Sequence, residues 1–67
     1  MILLYEARIY GGVMHNLVGK TVIVETFETT YIGKLVELGE QEVHLQSDNG
    51  WIVIPVERIT SMREKID

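Results

Sequence analysis

The chain has no cysteine, which excludes disulfides and thiolate metal sites. Its two histidines, His15 and His44, are separated by a predicted strand pair and form no ligand cluster, so neither a metal site nor a cofactor is expected. Basic residues are scarce: six Lys and Arg stand against ten Asp and Glu, for a formal net charge of −4. Nucleic-acid affinity rests on Lys and Arg neutralising phosphates, so non-specific binding to polyanions is disfavoured. No apolar run approaches the roughly 18 residues of a membrane span. The opening MILLYEARIY is apolar but carries Glu6 and Arg8. It lacks a basic leader followed by a sustained apolar core, so no secretory signal is expected. With no cysteine, a cytoplasmic home is the default. Ser47 and Ser61 have no histidine and carboxylate at a suggestive spacing, and Glu40 with Glu42 suits solvated loop charge. The chain is expected not to be an enzyme.

What is present is a short, apolar chain. Sixty-seven residues make one domain, and a domain of this size buries only about 60% of its unfolded surface. Small scaffolds add disulfides, metals or oligomerisation. The first two are excluded above, and the 46% hydrophobic content supplies surface for the third.

Residues 1–12 are ambiguous. Ile2, Leu3, Leu4, Ala7 and Ile9 suit one face of a short helix ended by Gly11 and Gly12, or an added strand, because so short a run does not decide the period. The helix is preferred, and Val13 and Leu17, four apart, extend its packing.

From Lys20 the pattern becomes β. TVIVET (21–26) is almost entirely β-branched. Phe27 and Glu28 fall at a turn. TTYIGKLVEL (29–38) is a longer strand interrupted by Gly33, and a glycine inside a strand marks a bend, a bulge or a close backbone approach. Tyr31, Gly33 and Leu35 share one face, with Ile32 opposite. After a loop through Gly39, Glu40 and Gln41, EVHLQS (42–47) alternates, with Val43 and Leu45 inward and His44 and Gln46 outward. Asn49-Gly50 between two β-runs predicts a tight hairpin, because both residues tolerate positive φ. WIVI (51–54) returns, and Pro55 either ends that strand or sits on an edge. Residues 59–63 form the last strand, and 64–67 a tail.

Five short strands at close spacing predict a mainly β fold: a five-stranded, strongly bent antiparallel barrel, with a short N-terminal helix over 1–12 and the barrel over 13–63. A curled sheet this small keeps two open edges, which are templates for another chain. The last two strands are hydrophobic and carry little charge, so Trp51, Ile52, Val53, Ile54, Ile59, Thr60, Ser61 and Met62 are the expected subunit interface.

The order of these residues resembles the Sm and Sm-like family, which includes the bacterial Hfq proteins. Its first motif is matched by Leu17, Gly19 and Lys20, then Val22 and Val24, then Tyr31, Gly33 and Leu35, then Val43 and Leu45. Its second is matched by Ile54, Ile59 and Met62. The resemblance covers roughly residues 13–63. It implies a short N-terminal helix leading into a five-stranded bent sheet. It also implies that fourth and fifth strands pair between subunits, in rings of about five to seven with a heterologous, closing interface.

Single-stranded RNA or DNA binding is what the resemblance implies for function, and here the sequence departs from the family. The family's uridine pocket uses an aspartate and an asparagine after the second strand and an arginine-glycine pair at the fifth. Gly39 stands near the aspartate position in a loop about one residue short, and Pro55-Val56 stand where arginine and glycine would be. The lysine-histidine signature of Hfq is also absent from IPVER. Four candidates remain. Arg58 offers a guanidinium plane and Gln41 an amide for base edges, Lys34 adds positive potential, and His44 a ring for stacking. Each is equally readable as a solvated surface residue, with Arg58 paired to Glu57 or Glu40. The alternative to a nucleic-acid-binding ring is a structural or protein-interaction ring that has lost the nucleotide pocket. Tyr31 and Trp51 suit core or interface anchors, while Phe27, at a turn tip, suits contact with a ligand or a neighbouring subunit.

Overall fold

A computed structural model describes residues 16–66 of the chain. The segment expected to form the N-terminal helix lies outside the described residues. Five strands follow one another: β1 (Thr21–Thr26), β2 (Thr30–Leu38), β3 (Glu42–Ser47), β4 (Gly50–Pro55) and β5 (Ile59–Glu64). A single 3-10 turn, Val56–Arg58, links the last two. All neighbours are antiparallel, in the order β4-β3-β2-β1-β5.

The connections explain this order. Three hairpin turns lay β1 to β4 side by side. Thr26 Oγ1 closes the first turn, donating to Thr29 C=O at 2.8 Å and accepting the N–H of Glu28 and of Thr29. Gly39 closes the second, its N–H donating to Glu42 C=O at 2.9 Å. In the third, Ser47 Oγ donates to Gly50 C=O at 3.0 Å and accepts Asn49 N–H. The tight hairpin expected at Asn49-Gly50 is present. Within it Gly50 takes a positive φ, at 119°, and Asn49 does not.

β5 breaks the hairpin sequence by crossing to pair with β1. This single step sets the curvature. Laid flat, the two edges of five strands would stand about 19 Å apart. Only Val56–Arg58 joins Pro55 to Ile59, and four residue steps reach at most about 14 Å even when extended. A 3-10 turn, rising about 2 Å per residue, reaches less. The sheet must curl until its edges approach.

The bend is concentrated in β2. Its first half, Thr30 to Lys34, pairs with β1, and its second half, from Lys34, pairs with β3. Gly33 faces the core at this changeover. A Cβ there would stand 3.0 Å from Gln46 C=O and 3.2 Å from Leu45 Cβ, so any side chain would have to push β3 aside. Val36 then forms a bulge, since Leu35 opposes Leu45 while Glu37 opposes His44. A second bulge leaves Thr60 unmatched where Thr26 opposes Ile59 and Glu25 opposes Ser61. Bulges bend a strand and increase its twist.

The concave side is the core. Val22, Val24, Leu35, Val43, Leu45, Ile54, Val56, Ile59 and Met62 form one buried cluster, with Leu17, Tyr31, Leu38 and Ile52 packed against it. Every strand contributes. No buried residue of the described chain is polar or charged.

The expected barrel is corrected in one respect: the sheet curls but does not close. β4 and β5 lie at opposite ends of the strand order and share no ladder. The nine buried side chains fill the concave side of the curl. Among the described residues, no helix is long and apolar enough to cross a membrane.

Substituting Gly33→Val tests the bend. Overpacking costs about 1–3 kcal/mol, and each kcal/mol shifts the midpoint of a small domain by about 4–8 °C. The thermal melt followed by circular dichroism is expected to fall by at least that shift, with lower solubility. An unchanged melt would show that the glycine is dispensable.

Candidate nucleic-acid interface

The four candidate contact residues fall into two groups. Gln41 and Arg58 come together at one end of the sheet. Gln41 C=O accepts the N–H of Val56 at 2.9 Å, which seats the β2–β3 loop against the 3-10 turn that carries Arg58. Arg58 Nη1 reaches Glu28 Oε1 at 3.4 Å, on the β1–β2 turn. One three-residue turn thus touches the loops at both ends of β2, a strand that would span about 26 Å if straight. Glu28 lies thirty residues from Arg58, and nothing in the sequence marked it as the partner in place of Glu57 or Glu40.

Lys34 and His44 lie elsewhere, on the convex face of the sheet. Lys34 is exposed and stands opposite Thr21 on one side and Gln46 on the other. His44 is half-buried on β3, opposite Glu37 and Val53, with Nε2 3.4 Å from Glu42 Oε1. The structure therefore joins two of the four candidates and separates the others.

The positions set against the family's nucleotide pocket have other tasks here. A Cβ on Gly39 would stand 3.0 Å from Glu42 C=O. The tight loop leaves no room for an aspartate. Val56, where the family carries glycine, is buried in the core cluster. Both departures have a packing reason.

The expected interface residues divide by face. Ile54, Ile59 and Met62 are buried within the subunit, and Ile52 is half-buried. Trp51 and Val53 point to solvent on the convex side, 62% and 50% exposed. Thr60 is exposed and its Oγ1 donates to Glu25 C=O at 3.1 Å, and Ser61 Oγ donates to Glu25 Oε1 at 2.9 Å. Those two hydroxyls fix the bulged start of β5 to β1. Phe27 is 70% exposed at its turn tip. It stands on the same β1–β2 turn as Glu28, near the Arg58 end.

Charge is locally balanced. Lys20 pairs with Glu64 at 3.8 Å and Arg63 with Glu25 at 3.5 Å, and Arg58 is matched to Glu28. Lys34 takes part in no ion pair among the described residues. No group of three or more potential metal ligands converges among the described residues.

No protein-family model, no curated protein and no solved structure matches the chain.

Exposed ion pairs contribute at most about 1 kcal/mol, so Arg58 is held loosely. Glu28→Gln is expected to leave the melting midpoint nearly unchanged while freeing the guanidinium. A large loss of stability would show instead that the pair is a structural clamp on the turn.

Proposed function

We propose that the chain is an Sm-like subunit that assembles with copies of itself into rings and binds single-stranded RNA, or DNA, in nucleic-acid processing. One observation carries the assembly. The strands at the two open edges, β4 and β5, are the fourth and fifth, the same pair through which the Sm family joins its subunits. The first-motif and second-motif residues also support it, since Val22, Val24, Leu35, Val43, Leu45, Ile54, Ile59 and Met62 all belong to the buried cluster.

Binding is assigned to Gln41 and Arg58. Single-stranded recognition uses planar groups for stacking and polar groups for base edges. The loop end supplies one of each, at neighbouring positions on the 3-10 turn and the β2–β3 loop. Repetition around a ring multiplies a weak site, because linked sites bind with an effective concentration. With a net charge of −4 and a single arginine at the site, such binding is weak and only shallowly dependent on salt, because the slope counts the phosphates that Lys and Arg neutralise.

A second reading is favoured by the Arg58–Glu28 pair and by the occupied positions at Gly39 and Val56. In that reading the ring is a structural or protein-interaction module without a nucleotide site.

Light scattering is expected to give a mass of several 7.7 kDa subunits. Fluorescence anisotropy with oligo-U, oligo-A and mixed single strands at low salt is expected to show binding. Arg58→Ala should weaken it about tenfold, the equivalent of about 1.4 kcal/mol. Assemblies that bind none of the strands, but retain a protein partner after nuclease treatment, would replace the first reading with the second.

A further inference from the structure

The third hairpin turn carries a chemistry that neither the fold nor the candidate binding site uses. The chain has two asparagines, Asn16 and Asn49, and only Asn49 is followed by glycine. Ser47 and Gly50 oppose each other, so Asp48 and Asn49 form a two-residue loop. Asp48, Asn49 and Gly50 are all exposed. One hydroxyl braces the loop: Ser47 Oγ accepts Asn49 N–H at 3.2 Å and donates to Gly50 C=O at 3.0 Å. The Asn49 side-chain amide takes no hydrogen bond among the described residues. Nothing stands within 4 Å of where a Gly50 Cβ would be.

An asparagine holds an electrophilic carbon, Cγ, beside the backbone nitrogen of the residue that follows. Attack by that nitrogen closes a five-membered ring, and glycine alone lacks the Cβ that crowds the approach. Asn16 precedes Leu17, whose side chain hinders the same attack.

We propose that Asn49 is a site of spontaneous covalent modification, at which solvent water converts the amide to a carboxylate through a cyclic imide. Gly50 N bonds to Asn49 Cγ and gives up its proton. The Cγ–Nδ2 bond breaks, and ammonia leaves. Water then adds to one of the two imide carbonyls. Addition at Cγ breaks the new bond and gives aspartate. Addition at the Asn49 backbone carbonyl breaks the original peptide bond and leaves the main chain running through Cγ, as isoaspartate. One water is consumed and one ammonia released, with no change of oxidation state. Either product adds a negative charge to a chain already at −4. The proposal stands apart from the ring and its binding site.

The fold sets the pace of this reaction. Val56 N–H donates to Gln41 C=O, and by the alternation of the ladder Ser47 and Gly50 are then a hydrogen-bonded pair. The attacking nitrogen therefore closes the turn, and it is freed only when the hairpin end opens. β4 has a ladder partner on one side alone, β3, and exposed ends of this kind open at low free energy. Isoaspartate then adds a backbone carbon to a loop whose geometry is set by its length. The Ser47–Gly50 pairing is lost, and β4 loosens from its first residue.

Tandem mass spectrometry of the full chain tests this, after storage at neutral and at mildly alkaline pH. Trypsin releases residues 35–58 around Asn49 and residues 9–20 around Asn16. Asn49 is expected to lose its amide and give both acids, faster at the higher pH, while Asn16 keeps its own. Ser47→Ala, which removes the bracing hydroxyl, should speed the loss. Asn49→Gln should abolish it, because the longer side chain must close a larger ring. An intact Asn49 in the folded chain, over a period in which a urea-unfolded sample converts, would overturn the proposal. Loss at Asn16 at an equal rate would do the same.

Discussion

The constraint on which the structure depends is the three-residue link between its two outermost strands. Val56–Arg58 ties the end of β4 to the start of β5, and those strands stand at opposite borders of the sheet. So short a tether cannot cross a flat five-stranded sheet. The sheet wraps around its own apolar face, and a chain without disulfides gains a core without a second layer. Gly33 and the Val36 bulge are the local means by which β2 follows. The Thr60 bulge, pinned by hydroxyls to Glu25, does the same for β5.

The same tether leaves the structure incomplete. It draws the borders together without pairing them. Open borders expose backbone groups that favour another strand. In the proposed assembly that strand comes from a second copy. The loops at the two ends of β2 meet at the tether, Gln41 through its carbonyl to Val56 N–H and Glu28 through its carboxylate to Arg58.

Much of this was legible in the residues. β-branched runs and alternation located all five strands, and the β4 and β5 ends differ by only one residue from the sequence expectation. Gly33 as a bend followed from its place inside an apolar strand. The bulges were not legible. Leu35 and Leu38, and likewise Ile59 and Met62, point inward although three apart, which breaks the period of two. Only the cross-strand register shows why. The strand count suggested a barrel, while the two open edges expected of so small a curled sheet are what the strand order shows. In the candidate site, Gln41 and Arg58 were expected near two loops by resemblance, whereas Glu28 was not foreseen, since an ion pair across thirty residues leaves no local signal. The loss of the pocket positions at Gly39 and Val56 was visible as a departure, but its cause, crowding and burial, required coordinates.

The central claim is that the outward backbone groups of both borders are bonded in the assembled protein. Amide hydrogen exchange resolved by residue tests it most directly. Val56 N–H bonds Gln41 C=O and Lys65 N–H bonds Thr21 C=O, so by the alternation of an antiparallel ladder the Val53 and Met62 amides face the open borders. The account predicts that these two amides exchange as slowly as that of Leu35 in the middle of the sheet. Exchange of those two amides at the rate of the exposed turn at Phe27 and Glu28 would contradict it.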